Sequence, residues 1–162
     1  MKSEISAVSL IPINPQKAFS SNLIVSYWTS NIIELFTIEK GTLKSSNETR
    51  TPPLPAVVRS ILLYNFGFDI NSKGADYQPY LLAGLGDGSV VSFTWKDGCL
   101  KDQKIVSLGY TPVSLTPCVV DGKKSVFAAG NRATVFFCDK NRLVNSAVIL
   151  KVGTFSSTRI KS

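Results

Sequence analysis

The sequence predicts an all-β fold, a partial β-propeller of about three four-stranded, WD40-like blades. Three observations predict it. A short apolar run, a tight polar turn and a second β-branched or aromatic run recur as Leu23–Phe36, Tyr80–Phe93 and Val126–Phe137, at intervals of roughly fifty residues, as in the longer propeller repeats. Each copy is flanked by a further candidate strand on both sides, which makes up the four strands of a propeller blade. No stretch of useful length carries the period of an amphipathic helix.

The elements follow in order. Blade one covers about 4–48, with a first strand at Ile5–Ile11, the hairpin around Thr29-Ser30-Asn31, and a last strand at about Thr42–Asn47. Ser45–Pro55 is polar and then proline-rich; it reads as the crossing to blade two, its prolines barring strand continuation. Blade two covers about 57–108: Val57–Phe66, a hairpin turned by Gly86-Asp87-Gly88, and Cys99–Leu108. Asp-Gly and Gly-Asp tolerate the positive φ of tight hairpin turns. The polar insertion Asp69–Gln78 reads as an exposed loop. Blade three covers about 113–150: Val113–Val120, a hairpin in which Asn131 is expected to take the left-handed turn position, and Leu143–Leu150. Runs such as Val90-Val91-Ser92-Phe93 and Val135-Phe136-Phe137 are apolar on both faces, as strands sandwiched between blades require. Residues 151–162 look like the lead-in to a further strand. Three blades cannot close a ring that typically takes four to eight, so the expectation is a segment of a larger propeller protein.

Composition narrows the function. The 162-residue chain is 44% hydrophobic and 18% charged, a globular balance. No apolar run approaches the ~20 residues of a membrane span, and the start has no secretory h-region. Histidine is absent, which removes Ser–His and Cys–His nucleophiles and histidine metal sites from consideration. Cys99, Cys118 and Cys138 are far apart and odd in number, poor material for a zinc site or disulfide framework. Asp87, Asp97 and Asp102 form no readable acid–base pair, and Asp87 is explained by turn geometry. No catalytic residue, metal, cofactor or small-molecule substrate is expected. The formal charge of +7 admits nucleic acid as a partner. The basic residues, however, are spread through Lys101/Lys104, Lys123/Lys124, Lys140/Arg142 and the tail. They are not interleaved with aromatics as in single-strand binders, and a solvated surface is the simpler reading.

Tyr80–Ser89, Gly98–Pro112, Glu4-Ile5-Ser6, Trp28-Thr29, Arg59-Ser60-Ile61-Leu62 and Asn141-Arg142-Leu143-Val144 carry an ordered similarity over nearly the whole chain. In that series the chain resembles the family of the large damage-specific DNA-binding subunit, the cullin-4 ubiquitin-ligase adaptor, in the C-terminal part of its middle propeller. The large splicing factor 3b and cleavage-and-polyadenylation subunits share the plan and the L-G-x-x-P element, here Leu108–Pro112. Departures exist: Ser30 replaces the family's Asp after Trp-Thr, and Ala129–Val135 keeps Arg132 but has Asn131 and Ala133 where the family has Asp and Pro.

The resemblance implies a non-catalytic adaptor in DNA repair and protein turnover, nuclear and cytoplasmic. Its implied partners are a cullin-4-type scaffold and substrate receptors, with an indirect association with DNA. Two positions match the family's cullin-facing residues: Trp28 in its W-T-D turn and Arg59 in its R-S-I-L run. A Trp on a blade-end turn has large apolar area to bury, and Arg offers forked hydrogen bonds. Against this, Trp28 could pack between blades, and Arg59 could form an edge salt bridge or lie along apolar surface. The alternatives to a ligase adaptor are an RNA-processing scaffold and direct nucleic-acid binding.

Overall fold

A computed structural model describes residues 4–9, 22–44, 50–66, 79–96, 99–120, 122–139 and 142–147. They form three four-stranded antiparallel sheets, each an up-and-down meander, so the chain is a partial β-propeller. Sheet one comprises β1 (Ile5–Ser9), β2 (Asn22–Tyr27), β3 (Ile33–Glu39) and β4 (Thr42–Lys44). Sheet two comprises β5 (Val58–Asn65), β6 (Pro79–Leu85), β7 (Ser89–Lys96) and β8 (Cys99–Ser107). Sheet three comprises β9 (Ser114–Val120), β10 (Lys123–Ala129), β11 (Thr134–Asp139) and β12 (Arg142–Ala147). The Asp69–Gln78 insertion, Asp97, the lead-in at 151–162 and the basic tail lie outside the described residues.

The two-residue period of sheet two explains why its strands read as continuous apolar runs. Ile61, Leu63, Leu81, Ala83, Leu85, Val91 and Phe93 face sheet one, where Ile24, Ile33 and Leu35 meet them. Leu62, Leu82 and Val90, one step out of phase, face sheet three and pack on Val126, Ala128 and Phe136. The inner strands β6 and β7 of the middle sheet are therefore largely buried on both faces, and the core is two interdigitated seams, not one centre. Proline falls where strands allow it: Pro79 opens β6, and Pro117 lies on β9, an edge strand.

Glycine sets how closely sheets two and three approach. A Cβ on Gly84 would lie 2.4 Å from the Val113 carbonyl oxygen, so only glycine fits there. At the far end of this seam Lys124 donates to the Asn65 carbonyl at 2.8 Å and lies 4.6 Å from the centre of the Tyr64 ring. Its burial pushes the ammonium pKa down. Lys124 is thus a seam residue, in contrast to the solvated charge expected from the sequence.

The crossing from sheet one to sheet two stays close to β3. Arg50 bridges antiparallel to Glu34. Thr51 donates its N–H to the Ile33 carbonyl at 3.0 Å and accepts the Ile33 N–H on its hydroxyl at 2.9 Å. Leu54 N–H then bonds to the Asn31 carbonyl at 2.8 Å, and the Leu54 side chain enters the first seam. Pro52, Pro53 and Pro55 hold this run out of regular strand.

Candidate protein-interaction site

Trp28 and Arg59 meet at one end of the first seam. Trp28 directly follows β2, and its N–H bonds to the Glu4 carbonyl at 3.0 Å. The turn beyond it needs a left-handed residue, and Asn31 supplies it with φ 51°. Arg59 arrives through a register shift. Val58 pairs with Leu85 and Ser60 with Gly84, leaving Arg59 as the extra residue of a β-bulge. Such bulges re-aim side chains. Here the neighbours Val58 and Arg59 both turn towards sheet one, Val58 into the core and Arg59 over the indole.

The Arg59 Cζ lies 5.3 Å from the centre of the Trp28 ring, within cation–π range. Trp28 remains 42% exposed, which excludes burial between the two blades as its role. Arg59 is exposed and has no carboxylate within salt-bridge distance among the described residues. Trp28 Nε1 and the guanidinium are both pure donors, so the pair presents an apolar plate edged by hydrogen-bond donors.

A polar cluster around the buried Glu34 stands behind this turn. Tyr27 donates its hydroxyl to Glu34 Oε2 at 3.1 Å, and Arg50 reaches Glu34 Oε1 through Nε at 2.9 Å and a second guanidinium nitrogen at 2.8 Å. Glu34 is only 6% exposed, so its charge depends on these partners. Burial first, then the bond to Glu34, push the Tyr27 hydroxyl pKa up. The cluster ties the crossing segment to the sheet that carries Trp28.

The same end continues across sheets two and three. Gly86 donates to the Val57 carbonyl at 2.8 Å, and a Cβ there would touch Arg59 Cγ at 3.7 Å. Asp87 accepts the Ser89 N–H at 3.0 Å, the turn role expected of it. Gly88, at φ +93°, lies so close to Gly109 that its Cβ would fall 2.4 Å from the Gly109 carbonyl oxygen. Asn131 corrects an expectation. It is not a left-handed turn residue; instead its Oδ1 accepts from Tyr110 N and Thr111 N, both at 2.7 Å, and from Thr111 Oγ1 at 3.0 Å. Tyr110, in the loop so clasped, is 80% exposed.

A concavity of about 340 Å³ opens between sheets two and three and is lined by Tyr80, Ser92, Thr94, Asp102, Lys104, Arg142 and Leu143. Thr94 donates to the Lys101 carbonyl at 3.0 Å beside Asp102, which sits at φ 54°. The lining has one carboxylate and no paired acid and base. Among the described residues no group of three or more His, Cys, Asp or Glu is placed to hold a metal ion, and no helix is long and apolar enough to cross a membrane.

Comparison with known proteins agrees with this architecture. Residues 1–161 match the family model described as the RSE1/DDB1/CPSF1 second beta-propeller. The chain belongs to this family. Within it, DNA damage-binding protein 1a of Arabidopsis thaliana is 33% identical over 150 residues, 91% of this chain and 13% of the relative. DNA damage-binding protein 1 of Oryza sativa subsp. japonica is 33% identical over 153 residues, 93% of this chain and 13% of the relative. The Drosophila melanogaster protein of the same name is 32% identical over 154 residues, 91% and 12%. The chain thus spans about an eighth of the length of these second-propeller relatives.

Proposed function

We propose that this propeller segment is a non-catalytic scaffold of a cullin-4-type ubiquitin ligase, linking the cullin to substrate receptors in DNA repair and protein turnover. Nuclear and cytoplasmic residence and an indirect association with DNA belong to the same reading. Membership of the family and the relatives' names support it. The observation that carries it is the Trp28–Arg59 pair: a half-exposed indole under an exposed guanidinium, at the two positions where the resemblance implies cullin contact. Trp and Arg are the residue types that most often dominate binding energy at interfaces.

The test is titration of the intact protein with a cullin-4 N-terminal domain by calorimetry. Trp28→Ala and Arg59→Ala should each weaken binding by roughly tenfold or more, as interface anchors do. Unchanged affinity in both variants removes the pair from the interface.

A second reading is favoured by the breadth of the family model, whose description spans RSE1 and CPSF1 as well as DDB1. On that reading the chain is a scaffold of an RNA-processing complex. Co-purification with splicing or 3′-end-processing proteins, without a cullin, would select it.

A further inference from the structure

We propose that Tyr110 is a further, specificity-determining contact on the same end face, and that the partner which covers Trp28 and Arg59 also covers Tyr110. The inference rests on the scaffold reading above, and it commits the occupant to that cullin-type partner.

The two ends of this face are linked by close approaches along the blade-end turns, one of them at the buried Gly88. Trp28 lies under Arg59, the Arg59 stem borders the turn at Gly86, Gly88 of that turn abuts Gly109, and Tyr110 follows. Three blades therefore contribute to one face, bounded by Trp28 on sheet one and the Asn131 turn on sheet three.

Tyr110 is also held as an anchor would be. Its backbone N–H is fixed by Asn131 Oδ1, which at the same time takes the Thr111 N–H and hydroxyl. The loop is pinned on both sides by Leu108 N–H to the Gly88 carbonyl at 2.9 Å, Arg132 N–H to the Leu108 carbonyl at 3.1 Å and Val113 N–H to the Leu85 carbonyl at 3.3 Å. A side chain that is 80% exposed contributes little to the core, yet the loop that carries it is tied by several hydrogen bonds. Holding the backbone that carries an exposed aromatic lowers the ordering cost of binding.

The chemistry of the occupant follows. Trp28 and Arg59 only donate hydrogen bonds, and the Tyr110 hydroxyl can donate as well. Asp87, between them, accepts the Ser89 N–H on Oδ1 and keeps further acceptor capacity as an exposed carboxylate. The matching protein surface presents apolar side chains with acceptors opposite Trp28 and Arg59 and a donor opposite Asp87.

The experiment titrates the intact protein with the cullin N-terminal domain, comparing Tyr110→Ala, Tyr110→Phe and Trp28→Ala, with melting temperatures recorded for each. Tyr110→Ala should weaken binding roughly tenfold with the melting temperature unchanged, and Tyr110→Phe should fall between it and the unsubstituted protein. Asn131→Asp, which keeps the acceptor, should bind better than Asn131→Ala. If Trp28→Ala abolishes binding while Tyr110→Ala stays within twofold, the Tyr110 inference fails and the scaffold reading stands. If Tyr110→Ala alone weakens binding, Tyr110 is retained and the Trp28–Arg59 pair is removed. Absence of any cullin binding by the unsubstituted protein overturns both.

Discussion

The Arg59 guanidinium of sheet two lies over the Trp28 indole of sheet one, with Cζ 5.3 Å from the ring centre. Two residues 31 positions apart in the chain thus form one surface element across a blade seam. An exposed cation–π pair contributes about 0.5–1 kcal/mol. A double-mutant cycle on Trp28→Ala and Arg59→Ala, read from urea denaturation, should give a coupling energy of that size. Arg59→Lys should keep most of it in stability but less in binding, since lysine lacks the planar donor fork. Coupling near zero would mean that the two side chains do not stack in solution.

The Glu34 carboxylate is the stability hinge behind that face. Arg50→Met takes the guanidinium away from this buried carboxylate, and should cost about 1–3 kcal/mol, the scale of a lost partner at a buried polar group. The charge pair itself is partly screened, because the Arg50 side chain is 48% exposed. Adding Glu34→Gln to Arg50→Met removes the stranded charge and should recover part of the loss. If the double variant is less stable than Arg50→Met by the full cost of Glu34→Gln alone, the two residues are energetically independent.

The strands were legible because their signal is local. A run such as Leu81-Leu82-Ala83 announces a strand buried on both faces, and Gly86-Asp87-Gly88 announces its turn. The recurrence of the hairpin, and the resemblance on the Trp28 and Arg59 positions, directed attention to the blade end at which those two side chains meet. What stayed hidden depends on register and on neighbours distant in sequence. The bulge that aims Arg59 at Trp28 appears only when Val58 and Ser60 are paired with Leu85 and Gly84. Asparagine tolerates a left-handed turn at either position, but Asn31 takes that conformation whereas Asn131 uses its side chain on the Tyr110 loop. Nothing in the pattern around Arg50 reveals that the chain returns to the edge of β3.

Close approach between sheets two and three should make Gly84 intolerant of any side chain. Gly84→Ala drives a Cβ into the Val113 backbone, and overpacking of this kind costs about 1–3 kcal/mol. Gly86→Ala, whose Cβ would meet the movable Val57 and Arg59 side chains, should cost less. Equal melting temperatures for the two variants would show that the seam gives way more easily than its backbone contact implies.

Cys138 provides a pH signature of the second seam. Burial against sheet two pushes its thiol pKa up to about 11 from the ordinary 9.0. A pKa raised by folding means that the native state holds the proton while the unfolded chain loses it. The contribution is therefore complete below pH 9 and is lost as pH rises towards 11. Tyr80, also raised by burial, adds a loss of the same sign above its ordinary value, while Lys124, lowered by burial, acts in the opposite direction. Cys138→Val removes only the thiol term, so its urea midpoint should decline less than that of the unsubstituted protein between pH 9 and 11. Alkylation of Cys138 by iodoacetamide at pH 8 should likewise be slow compared with a free thiol, because the thiolate is the reacting species. Parallel declines for the two proteins, or rapid alkylation at pH 8, would place Cys138 in water and not against the seam.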